Sequence, residues 1–142
     1  VSRAAQSTAH HPTTELAELG RFFTITARSF DAGRTAPQMF SGAIDAAWHQ
    51  LLTDPAAHDA FTTEHAGRPL THSPIKGAGF ITWLSTYEEA YGPLPQIWFT
   101  DATGTVDTDS LARYRETGQV WAEWDCSPAP GDDDAVPGTT SA

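Results

Sequence analysis

The chain has 142 residues and a mass of 15.3 kDa, which is room for one domain around one core. Eighteen acidic residues against eight basic ones give a net charge of −10. Its seven Arg and single Lys76 form no cluster, which argues against nucleic-acid and anionic-membrane partners, since both are held by grouped cations. Five Trp, three Tyr and seven Phe exclude a wholly disordered chain.

One cysteine, Cys126, rules out an intrachain disulfide and any multi-cysteine zinc finger. No run approaches the roughly 18 apolar residues of a membrane span, and residues 1–18 lack the apolar core of a signal peptide. The expectation is a cytoplasmic protein.

Residues 1–12 are small and polar and are expected to form a loose arm. A first helix is predicted over 14–30, where Leu16, Leu19, Phe23, Ala27 and Phe30 recur at three- and four-residue steps. Gly20 weakens it slightly. Ser41 is a plausible N-cap for a second helix over 42–53, with Ile44, Ala47, Trp48 and Leu51 as its core stripe. Asp54-Pro55 is a strong start signal for a third helix that stops at Gly67. The Pro- and Gly-rich stretch 68–79 reads as a loop. A fourth helix follows over 80–91, striped by Phe80, Trp83, Leu84, Tyr87 and Tyr91 and ended by Gly92-Pro93.

The pattern then changes. Residues 96–100 read as a short strand, 101–104 as a turn, 110–116 as a short helix capped by Asp109, and 120–124 as a second strand. Residues 127–142 hold three Pro, two Gly and Asp132-Asp133-Asp134 and are expected to be a disordered acidic tail. The predicted fold is mainly α: about four packed helices and a small C-terminal β-ribbon, one globular domain over 13–126, with disordered ends.

Asp45 and His49 stand four residues apart on the second helix, so their side chains share one face. His72 follows the third helix, and the helical return can bring it beside them. One carboxylate and two imidazoles suit one divalent cation of the zinc or ferrous-iron type, and three protein ligands leave a position for water or substrate. A plain surface Asp–His pair is the competing reading. Trp48, between them, is expected to be core packing before it is a binding platform. His58 and His65, seven apart on the third helix, are secondary candidates as extra ligands or a pH-sensitive pair, against a structural role.

Asp45, two residues and then Trp48-His49, with Leu51, Pro55 and Phe61, and then Gly67-Arg68-Pro69-Leu70-Thr71-His72, resembles the glycine-rich domain-containing protein-like family over residues 41–72. Leu51 stands where many relatives carry a second His, and His58 where Tyr is common. The resemblance implies a helical fold and singles out Asp45, Trp48, His49 and His72. It implies no reaction.

The remaining residues carry little. Cys126 borders the expected tail and reads as incidental. Glu88-Glu89 reads as a solvated face, since helix neighbours diverge by about 100°. Gly77-Ala78-Gly79 lacks the Lys and Ser/Thr of a phosphate loop. Trp121, Trp124 and Ile97-Trp98-Phe99 either seal the core or form a patch for an unknown protein or small-molecule partner. Two functions follow: a metal-binding domain, with metal-assisted hydrolysis as its default reaction, or a non-catalytic interaction module in which Asp45, His49 and His72 form a hydrogen-bonded brace.

Overall fold

A computed structural model of the chain describes residues 13–131. The expected N-terminal arm and most of the expected acidic tail lie outside them. The fold is mainly helical, with five α-helices among the described residues.

Helix α1 (Thr14–Asp31) starts at Thr13, whose hydroxyl accepts from the Leu16 N–H. Helix α2 (Gly42–Leu52) is capped by Ser41, and α3 (Pro55–Ala66) by Asp54 with Pro55 in the first turn, as the sequence predicts. Helices α1, α2 and α3 pack on one another around Leu19, Phe22, Phe23, Ile44 and Trp48, all fully buried. Gly20 has a packing reason: a Cβ there would lie 2.6 Å from Cε1 of His65 on α3.

The stretch expected as a loop over 68–79 instead contributes two strands, β1 (Leu70–Ser73) and β2 (Gly77–Phe80). Their partners come from the C-terminus: β3 (Trp121–Trp124) pairs with β2, and β4 (Ser127–Pro130) with β1, both antiparallel. The expected β-ribbon is therefore two separate two-stranded ladders. Strand β4 carries ordered structure past residue 126, the expected end of the domain, into the first residues of the expected tail, where Ser127 is buried. Gly77 makes the second ladder possible. Trp124 lies directly opposite it, and a Cβ at 77 would fall inside the indole.

Three further expectations shift. Helix α4 (Leu84–Tyr91) begins four residues later than predicted, because Phe80 is drawn into β2 opposite Trp121, where both side chains are exposed. Residues Gln96–Phe99 form a 3-10 turn and not a strand. Adjacent Trp98 and Phe99 are both buried, which an alternating strand with one solvated face cannot achieve. Helix α5 (Thr108–Thr117) is capped by Asp107, not Asp109. Glu88 also departs from a purely solvated role by accepting a hydrogen bond from the Tyr114 hydroxyl.

Glu18 on α1 ties these parts together. Its buried carboxylate accepts from the Tyr87 hydroxyl at 2.5 Å, from Trp98 Nε1 at 2.9 Å and from Arg21 at 3.2 Å. Burial, reinforced by the Glu18 carboxylate, holds the Tyr87 phenol above its ordinary range, so it remains a donor. Glu18→Ala strands two buried donors, and urea unfolding should show a loss of about 2–4 kcal/mol. A loss below about 0.5 kcal/mol, the range of ordinary surface changes, contradicts that role.

Candidate metal centre

Three elements build the site. Helix α2 carries Asp45 and His49 one turn apart on its solvent-facing side. Strand β1 follows α3 after the Gly67 stop and brings His72 back to that face. The ladder between β1 and β4 sets His72 opposite Pro128, and the Met39–Cys126 bridge anchors the chain just before β4.

The Asp45 carboxylate stands between the two imidazoles. His72 Nε2 lies 3.4 Å from Oδ1, and His49 Nε2 lies 3.5 Å from Oδ2. The two imidazole rings are 4.5 Å apart between centroids. Asp45, His49 and His72 each offer one ligand atom, and these atoms all lie within 4.8 Å of one another. The three residues predicted as ligands are thus brought together. Exposure is graded: the His72 side chain is 15% exposed, Asp45 25% and His49 58%, so the group opens to solvent on the His49 side.

The other candidates fall differently. Trp48 is fully buried, with its ring edge-on to His72 at 4.6 Å and to Phe23 at 5.2 Å. It is core packing that also backs the site. His58 is buried, and its Nε2 accepts a hydrogen bond from Trp48 Nε1 at 3.0 Å. That nitrogen is engaged behind Trp48 and is not offered to the group. His65 packs on Phe61 and over Gly20, apart from the group.

One contributor was missed by the sequence. The Cys126 thiol is buried, and its Sγ donates to Asp45 Oδ1 at 3.2 Å. Burial pushes the thiol's pKa up, and the adjacent Asp45 carboxylate pushes it further, so the donor form persists. No local motif announces this contact, which spans 81 positions of sequence.

A concavity of about 840 Å³ lies on nearly the opposite face of α2, between Ala43, Ala47, Leu51, Ile97 and the 100–104 turn. None of the three clustered residues lines it. No described helix is long and apolar enough to cross a membrane. No family model, curated protein or solved structure matches the chain.

His58 supplies a pH-dependent element behind the site. Desolvation lowers its pKa from the ordinary 6.5, with Asp59 opposing and His72 adding to the shift. The unfolded chain therefore takes up this proton first. Its contribution to stability is complete above about pH 6.5 and is lost as pH falls from there toward the lower folded-state value. Unfolding midpoints followed from about pH 8 to pH 5 should fall more steeply for the wild type than for His58→Gln, which keeps an acceptor for Trp48 but does not titrate. Equal slopes would remove His58 from the account.

Proposed function

We propose that the chain is a divalent-metal-binding domain whose ligands are Asp45, His49 and His72. The observation that carries this reading is the convergence of one ligand atom from each of the three residues to within 4.8 Å of one another. The 3.4 Å contact of His72 with Asp45 Oδ1 is also a hydrogen bond, as the interaction-module reading requires; the convergence of donors from three residues ranks the metal reading first.

The donor set, two imidazoles and one carboxylate, is the mixture that zinc and ferrous iron accept. Three protein ligands leave a position for water or a substrate oxygen, and the exposure of His49 puts the open side of the group toward solvent. Hydrolysis assisted by the metal is the chemistry such a position favours. A reducing, cytoplasmic setting suits a chain with one free thiol. The likeness to the glycine-rich domain-containing protein-like family rests on these same residues together with Trp48.

Titration of untagged protein with Zn²⁺ against a chromophoric chelator tests the reading. About one equivalent should bind, and His49→Ala and His72→Ala should each abolish stoichiometric loading. Binding should weaken on acidification, because protons compete for the imidazole nitrogens. Loading that survives both substitutions places the ion elsewhere, and no loading of the wild type refutes the site.

A further inference from the structure

Cys126 touches the ligand group without joining it. Its sulfur meets Asp45 Oδ1 at 3.2 Å, yet it stands outside the set of ligand atoms that lie within 4.8 Å of one another. Among the described residues, the Asp45 carboxylate has two side-chain hydrogen-bond partners, His72 and Cys126, and His49 faces its other oxygen at 3.5 Å. Its side chain is buried, and its backbone carbonyl accepts from the Met39 N–H at 3.2 Å. The donor is therefore fixed by the core, whereas the carboxylate sits on the edge of a helix with a quarter of its surface in solvent.

Ligating carboxylates gain affinity when an outer partner holds their orientation, because less freedom is lost as the metal binds. We propose that Cys126 is the positioning residue of this metal site: its S–H pins Asp45 Oδ1 so that the carboxylate stays between His49 and His72, and its sulfur is not a ligand. The role rests on the metal-binding reading above. It distinguishes a site with three protein ligands and an open position from a closed four-ligand site with a thiolate, which would be structural.

Because the chain has one cysteine, its S–H stretch is a single infrared band. That band should lie at lower wavenumber in the wild type than in Asp45→Ala, and it should persist when the wild type is loaded with Zn²⁺. In Co²⁺ titrations Cys126→Ala should bind roughly 10–100-fold more weakly than the wild type, the usual cost of losing an outer-sphere partner. Cys126→Ser, which keeps a donor, should recover most of the affinity. Loss of the S–H band on loading, with a thiolate-to-cobalt charge-transfer band, makes Cys126 a ligand and overturns the proposal. Equal affinity of the wild type and Cys126→Ala overturns it while leaving the metal site standing. A wild type that takes up no Co²⁺ overturns the site reading itself, and the positioning role with it. Should Cys126→Ala not fold, the infrared comparison still decides, since it needs no change at 126; an unmoved band in Asp45→Ala removes the contact.

Discussion

Trp48 enters the core where α1, α3 and β1 converge. Its indole meets Phe22 and Phe23 on α1, gives its N–H to His58 on α3, and lies edge-on to His72 on β1. A fully buried indole with a satisfied N–H leaves α2 one rotation about its axis, since any other would bury a polar face or strand the donor. That rotation points Trp48 and Ile44 inward and turns Asp45 and His49 outward toward β1. The placement of two proposed ligands thus follows from the burial of the residue between them.

The same packing explains why the site and the large concavity are separate. Helix α2 has three faces in use: the core stripe, the Asp45–His49 edge beside β1, and a small-residue face of Ala43 and Ala47 that borders the open groove. The candidate chemistry lies on the edge where a strand returns, not in that groove. A site of one carboxylate and two imidazoles can recruit a cation there with the required residues supplied by only two elements. A fourth residue, Cys126, reaches Asp45 from the far end of the described chain, and in the proposed role its thiol holds the carboxylate in place.

Much of this was legible in the sequence because it is local. Ser41, Asp54-Pro55 and Gly67 mark the ends of α2 and α3, and helical spacing alone puts Asp45 beside His49. What the sequence conceals is non-local. Strands β1 and β2 look like loop because Pro and Gly punctuate them, and their partners lie some 50 residues downstream. Gly77 reads as a loop residue, although a side chain there would collide with the Trp124 ring. The Gln96–Phe99 segment has strand-like residues, and only the burial of both Trp98 and Phe99 decides for a turn. Cys126 resembles the edge of a tail until β4 pairs with β1. The buried carboxylate of Glu18 is likewise invisible without Tyr87 and Trp98, which lie 69 and 80 residues away.

The central claim is that Asp45 and two imidazoles from different elements share one cation. X-ray absorption at the zinc edge of the Zn²⁺-loaded protein tests it most directly. The account predicts a first shell of nitrogen and oxygen at about 2.0–2.2 Å, with the outer-shell scattering of two imidazoles and no sulfur. A sulfur at about 2.3 Å, or the signature of fewer than two imidazoles, would contradict it.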